Sequence, residues 1–490
     1  MLLEPLLTHA ARQPQSIAVI DERGRYTYQQ VAAMAAGLGM YLSMQTRKPG
    51  VGLLLPAGVG FVASFYGTLA AGKTVVPINF LLGDREIAHV IADSGIDTVI
   101  TIPPLAPRLK DARLNLIDLT QLPPTPPAAI TPRLPPRNPD DLAVLMYTSG
   151  TSGVPKGVML TFANLRSDVD ACIQAAALKH QHKFLGVIPL FHAFGMTAMM
   201  LAPIQLGSMV IYLSRFSAVG AVNAIREHAV SLVFGVPSMF AAIAHLKSAT
   251  ADDFRSIYAM ISGGEPLPRV LYETFQQRFG VTLYEGYGLT ETSPVVSLNT
   301  PQEHRAGSVG KPLPGVTVKI ADEAGSALPA DQIGEIWLKG PMIMKGYYNL
   351  PNETAAVLSP DGFLKTGDLG KLDTDGFLYV TGRKKEMIIV AGEKVSPREI
   401  EEVLLRHPAV ADAAALGKKD ESRGEVVVAF VTTRQGQSTT AEELRNFCRE
   451  QGLVQWKIPR EIYLVPDLPR SPTGKVLKRI LAEQLARHAS

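Results

Sequence analysis

Ten consecutive residues, Thr148-Ser149-Gly150-Thr151-Ser152-Gly153-Val154-Pro155-Lys156-Gly157, constrain this chain more than any other stretch of it. Hydroxyls alternate with glycines, and one lysine closes the run. Glycine has no Cβ, so backbone N–H groups in such a loop can turn inward around an anion. Thr148, Ser149, Thr151 and Ser152 add hydroxyl donors, and Lys156 adds a point charge. Residues 142–147 read as a buried strand, and 158–160 continue apolar. A strand, a Gly/Ser/Thr loop and then a lysine form a polyphosphate cradle. A flexible linker needs neither the Pro-Lys-Gly ending nor apolar strands on both sides. The spacing also excludes a Walker loop: Pro155 stands where that motif requires glycine, and Gly157 follows the lysine.

Up to about residue 340, short apolar runs alternate with helical ones. Strands are expected at 17–20, 51–55, 98–102, 231–236 and 257–262, and helices at 28–42 and 218–228. Such alternation implies a largely parallel sheet with helices on both faces. Residues 103–139 are crowded with prolines and read as a surface excursion without regular structure. Beyond 380 the texture changes. Ser396 is placed to cap a helix that has Pro397 in its first turn. A strand at 426–432, a helix at 441–450, a strand at 461–465 and helical apolar spacing from Val476 to Leu485 follow. The expectation is an α/β protein. A large N-terminal domain of mostly parallel sheets flanked by helices (1–384) precedes a small mobile α+β domain (385–490).

A chain of 490 residues exceeds what one core usually organises. A net charge of +3 gives no case for nucleic acid and a weak one for peripheral contact with an anionic membrane. Two distant cysteines, Cys172 and Cys448, argue against disulfide or zinc architecture and fit a reducing cytoplasm. Residues 185–214 carry no Asp, Glu, Lys or Arg and are long enough to span a bilayer. Pro189, His192, Gly195, Pro203 and Gly207 interrupt them, so strand, turn, buried helix and strand are expected instead.

Further motifs follow in order: Ser262-Gly263-Gly264-Glu265-Pro266, Tyr284-Glu285-Gly286-Tyr287-Gly288-Leu289-Thr290-Glu291, Lys365-Thr366-Gly367-Asp368, Gly382-Arg383-Lys384-Lys385-Glu386, the Gly392-Glu393-Lys394 loop and Pro469-Arg-Ser-Pro-Thr-Gly-Lys475. Taken alone, each is an ordinary turn, cap or solvated charge run. Taken together with the loop at 148–157, the series resembles the adenylate-forming superfamily of acyl-CoA synthetases, luciferases and peptide-synthetase adenylation domains. The likeness runs from about Ile17 to Lys475.

That resemblance implies ATP, Mg2+ and coenzyme A as cofactors and assigns expected roles. The loop and Lys156 would hold phosphates. Gly263, Gly264 and Glu265 would border a flat ring, Tyr287 would stack on adenine beside Gly288, and Thr290 would bond phosphate. Glu291 would bind magnesium through a hard carboxylate oxygen. Asp368 and Arg383 would hold ribose, Lys385 would be the interdomain hinge, and Gly392 would line the thiol path. Lys475 would be the adenylation lysine. Two half-reactions are implied: a carboxylate attacks the α-phosphorus to give acyl-adenylate and pyrophosphate, then the small domain swings and a thiol displaces AMP.

Pro189-Leu190-Phe191-His192-Ala193-Phe194-Gly195 is similar to the motif near the carboxylate in acyl-CoA synthetases, with His192 between the acyl and thiol channels. It has no aspartate to pair an amino acid's amine. Acetate-specific relatives carry tryptophan at the position of Gly288, so an open pocket is expected. A medium- or long-chain fatty acid fits best. An aryl acid, a carrier-protein-loading ligase and a non-catalytic nucleotide-binding protein are the alternatives.

Overall fold

The computed structural model describes residues 2–122, 136–148, 154–470 and 476–488. The apolar runs become strands buried on both faces, as parallel strands must be. Ile17–Asp21, Lys183–Gly186, Met209–Tyr212, Leu232–Gly235, Ala259–Ser262 and Leu283–Gly288 form the parallel body of a nine-stranded sheet. Antiparallel strands close both edges, with Val295–Leu298 and Lys311–Pro312 at one and Gly24–Thr27 at the other.

The second sheet has seven strands. Leu142–Thr148, Thr74–Pro77, Gly50–Leu54 and Thr98–Thr101 run parallel. Lys156–Thr161 returns antiparallel beside Leu142–Thr148, and Gly346–Tyr347 pairs antiparallel with it in turn. Helices such as Tyr28–Gln45 cover these sheets. That helix starts at a capping box, where Thr27 Oγ1 accepts from the Gln30 N–H and Gln30 Oε1 accepts from the Thr27 N–H.

Among its described residues, the proline-crowded excursion contains one strand. Asn115–Asp118 adds parallel to Thr98–Thr101 at the sheet edge. Residues 108–122 carry no proline, so the backbone donors needed for pairing are present. Residues 185–214 follow expectation: the strand Lys183–Gly186 leads to a buried helical stretch over 193–206 and then to the strand Met209–Tyr212. No helix among the described residues is long and apolar enough to cross a membrane.

A four-stranded antiparallel sheet follows, from Thr317–Ala321, Gly334–Lys339, Leu364–Leu372 and Leu378–Arg383. The turn Lys384–Glu386 then leads to a separate five-stranded sheet built on Val410–Asp420 and Gly424–Thr433. This last sheet buries both faces within itself. Ile388, Val395, Ile400, Leu404, Leu444 and Cys448 pack on one side. Leu468, Leu481 and Leu485 pack on the other, against Ala414, Val428 and Phe430. The helix Pro397–Leu404 starts where expected, but Ser396 does not cap it; its Oγ donates to the Thr381 carbonyl at 2.8 Å.

Candidate active site

The strands on either side of the Gly/Ser/Thr loop pair antiparallel. Thr148 and Lys156 face each other in register, so the ends of the loop are fixed by strand pairing. Ser149, Gly150, Thr151, Ser152 and Gly153 lie outside the described residues, as does Lys475. The Lys156 ammonium sits 2.5 Å from Glu353 Oε2 and 5.4 Å over the Tyr347 ring. The Tyr347 hydroxyl donates to Glu291 Oε1 at 2.8 Å. Sequence reading singled out neither Tyr347 nor Glu353. Both lie about 200 residues from Lys156, and an aromatic-rich turn is the only local sign of them.

Glu291 belongs to the short turn Thr290–Thr292 that follows the strand Leu283–Gly288, and half-buried Thr290 opens that turn. Among the described residues, Glu291 Oε2 has no donor, and no three His, Cys, Asp or Glu side chains converge on a metal site. A divalent cation here would therefore take one protein carboxylate oxygen and complete its shell from a phosphate ligand. That donor set suits magnesium.

The sequence-predicted ribose pair meets across two strands. Asp368 and Arg383 are register partners, and Arg383 Nε lies 2.9 Å from Asp368 Oδ1. Tyr287 enters from the nine-stranded sheet and donates its hydroxyl to Asp368 Oδ2 at 2.6 Å. Its phenol is pushed up by burial first and by the Asp368 charge second. The expectation for Tyr287 was its ring face; its hydroxyl is engaged as well.

These side chains line a crevice of about 610 Å³ together with Gly264, Glu265 and Gly288. Arg470 and Val476 line the same crevice and pair with each other as an antiparallel bridge. Gly288 has a backbone reason to be glycine: a Cβ there would lie 1.8 Å from the Pro294 carbonyl oxygen. Glu285 also lines the crevice and is fully enclosed. Burial pushes its carboxyl up to about 7, against the pull of Arg398 and a hydrogen bond from the Leu267 N–H.

His192 precedes the buried helical stretch at 193–206, and its Nε2 is buried with no hydrogen-bond partner among the described residues. Burial lowers its pKa to about 4, so the imidazole is neutral at ordinary pH. Gly195 lets the chain turn tightly here, since a Cβ would lie 2.3 Å from the Pro189 carbonyl. One residue before it, Phe194 packs edge-on to Phe234 and lies over Gly263, where a Cβ would meet the ring at 3.2 Å. The Ser262 hydroxyl beside Gly263 is a second buried group with no partner among the described residues.

Thr148, Lys156, Gly263, Thr290, Glu291, His192, Lys385 and Gly392 are not among the residues that line the crevice. Gly392 lines a separate recess with Ile389, Lys419 and Arg423 on the C-terminal sheet. Lys385 lies exposed in the turn between the sheets, its ammonium pKa lowered chiefly by desolvation and next by the Arg383 charge.

The AMP-binding enzyme family profile matches residues 6–348, and the profile of the AMP-binding enzyme C-terminal domain matches residues 399–475. The chain is 34% identical to a long-chain-fatty-acid–CoA ligase of Bacillus subtilis, over 98% of this chain and 94% of that enzyme. It is 37% identical to a sulfoacetate–CoA ligase of Cupriavidus necator, over 90% and 87% respectively. The o-succinylbenzoate CoA synthetase of Bacillus subtilis, solved with ATP and a magnesium ion, superposes with a TM-score of 0.87 at 31% identity and covers 98% of this chain and 99% of that one. The protein belongs to the AMP-binding enzyme family.

Proposed function

We propose that this protein is an AMP-forming acid–CoA ligase whose substrate is an apolar monocarboxylic acid, best a medium- or long-chain fatty acid. The observation that carries the reading is the crevice itself. Arg470 and Val476, the described residues on either side of Lys475, line it together with Tyr287, Gly288 and Asp368. A lysine held between those two positions would reach the phosphate end of a nucleotide whose ribose meets Asp368.

In this reading ATP lies in the crevice. Thr148, Lys156 and the loop between them hold its phosphates, and Asp368 and Arg383 hold its ribose. Magnesium on Glu291 would withdraw charge from the phosphates. Anion repels anion when a carboxylate approaches phosphorus, and Lys156 and Lys475 offset that repulsion. Tyr287, tied to Asp368 through its hydroxyl, keeps the carboxylate oriented. Neutral His192 offers an uncharged hydrogen bond beside the acyl group, where a cation would compete with the lysines for the carboxylate.

The acyl end is proposed from Phe194, Phe234 and the unsubstituted backbone at Gly263 and Gly288. Lys73 is the only lysine or arginine among the buried described residues, and it donates to the Lys48 carbonyl. Among the described residues no buried cation is therefore free to neutralise a second acidic group on the acid's tail, which disfavours a sulfonate or dicarboxylate. The acceptor is proposed as CoA rather than a carrier protein, on the likeness to the two CoA ligases. The domain boundary is placed at Lys385, between the two self-contained cores.

The test is AMP and pyrophosphate release from ATP and magnesium, with acids from acetate to C18, aryl acids and sulfoacetate, each with and without CoA. CoA-dependent AMP release peaking between C8 and C18 supports the reading. A peak at sulfoacetate or acetate overturns the substrate class, and adenylate that ignores CoA overturns the acceptor. Lys475→Ala should lower adenylate formation ~10²–10³-fold while sparing thioester formation from supplied acyl-adenylate. Lys385→Pro should do the reverse by stiffening the hinge.

A further inference from the structure

The segment 344–354 contributes nothing to the sequence-predicted site, yet it is laced to both of the groups proposed to meet the polyphosphate. Its backbone reaches the strand after the loop twice: the Lys345 N–H donates to the Met159 carbonyl at 3.0 Å and the Tyr348 N–H to the Gly157 carbonyl at 2.7 Å. It reaches the other side once, from the Met344 N–H to the Glu291 carbonyl at 2.8 Å. Tyr347 stands between these anchors as the register partner of Val158. Its own N–H is held by Thr354 Oγ1 at 2.9 Å, and that hydroxyl donates to the Leu350 carbonyl.

From this fixed position the Tyr347 side chain makes two contacts. Its hydroxyl donates to Glu291 Oε1, and its ring lies beneath the Lys156 ammonium that Glu353 holds from the other side. We propose that Tyr347 is a positioning residue for the phosphate end of the site, orienting the Glu291 carboxylate toward a divalent cation while seating Lys156 opposite it. The inference rests on the reading of Glu291 as the magnesium ligand.

The physical argument is one of orientation. A lone glutamate on a short turn can rotate its carboxylate freely. A phenol bonded to Oε1 fixes the plane and leaves Oε2 for the cation. Hydrogen bonds to ligating carboxylates of this kind typically change metal affinity 10–100-fold when removed. The ring acts separately, because an ammonium over an aromatic face is attracted to it whether or not a metal is bound. The two contacts therefore predict different losses for different substitutions.

The experiment is calorimetric titration of ATP into the full chain without any acid, so that no chemistry occurs, with Mg2+ and then with chelator. Tyr347→Phe keeps the ring and removes the donor. Its ATP affinity should fall ~10-fold or more in Mg2+ and stay close to that of the unsubstituted chain in chelator. Tyr347→Leu should also lose affinity in chelator, because the seat of Lys156 is gone. In a Glu291→Gln background, Tyr347→Phe should add little further loss, since the group it orients has been changed. If Glu291→Gln loses the magnesium effect and Tyr347→Phe does not, the positioning role is overturned while the metal reading stands. If Glu291→Gln keeps the magnesium effect, both fall. Equal losses for Tyr347→Phe with and without Mg2+ also overturn the proposal, because they mark Tyr347 as packing alone.

Discussion

Asp368 and Glu285 line one crevice at nearly the same depth, 3% and 6% exposed, and meet opposite surroundings. Asp368 lies on the antiparallel sheet, where Arg383 is its register partner and Tyr287 adds a second donor. Glu285 lies at the end of a parallel strand, with one backbone N–H for company and Arg398 only near enough to exert a field. Burial alone thus does not fix the charge of a carboxyl group. One side of the crevice gives its carboxyl a guanidinium and a phenol as partners, and the other leaves Glu285 to burial, which pushes its carboxyl up to about 7.

The largest consequence is in pH-dependent stability. Folded Glu285 keeps its proton up to about pH 7, while the unfolded chain releases it near 4.5. Its contribution is complete below 4.5 and is lost as the pH rises to about 7. His192 does the opposite: its folded pKa is about 4 against 6.5, so its contribution is complete above 6.5 and is lost as the pH falls toward 4. Each amounts to roughly 3 kcal/mol, and across their shared window the slopes oppose each other. Glu285→Gln should leave stability rising more steeply from pH 4.5 to 7, and His192→Gln should leave it falling. Thermal melts across that range check this, and parallel curves for all three chains would break the contrast.

Next in size is Asp368→Asn. It removes a charged acceptor from Arg383 and Tyr287, a loss of about 1.5–3 kcal/mol per charged hydrogen bond. The KM for ATP should rise by roughly 10–100-fold, while Glu285→Gln should leave it within a few-fold at pH 8. Equal effects on ATP from the two substitutions would mean that the paired and the unpaired carboxyl do the same work.

The smallest effect belongs to the exposed rim. Lys394 on the C-terminal sheet pairs with Glu323 on the large part of the chain at 3.0 Å, with side chains 66% and 85% exposed. Such a pair contributes at most about 1 kcal/mol and is screened by salt. Glu323→Ala should change the ratio of the two half-reaction rates less than about fivefold, and 0.5 M salt should erase the change. A larger, salt-insensitive effect would show that the rim shapes the arrangement of the two cores.

Sequence reading reached whatever was encoded locally. Parallel strands stand out as apolar runs, and the motifs around Tyr287, Asp368 and Arg383 are recognisable without knowing that their side chains meet. It failed where identity depended on distant pairing. The strand Val410–Asp420 is rich in alanine and poor in β-branched residues, so nothing local marks it. Tyr347 and Glu353 contact Glu291 and Lys156, 56 and 197 residues away in sequence. Glu285 was visible inside its motif, but its protonation is set by enclosure, which a linear string does not carry.

The close approach of Pro294 to Gly288 bears on how this protein could change over evolutionary time. No side chain at 288 fits until the Pro294 segment retreats, so under the proposed reading a narrower acyl pocket is not one mutation away by that route. A first change would have to loosen the 294 segment, and only a later one could fill the space. Until then, under the proposed reading, variation in substrate range would pass through other residues proposed at the acyl end, such as Phe194 and Phe234. Under that reading, a lineage holding this glycine would adjust the far end of its substrate before it could shorten the near end.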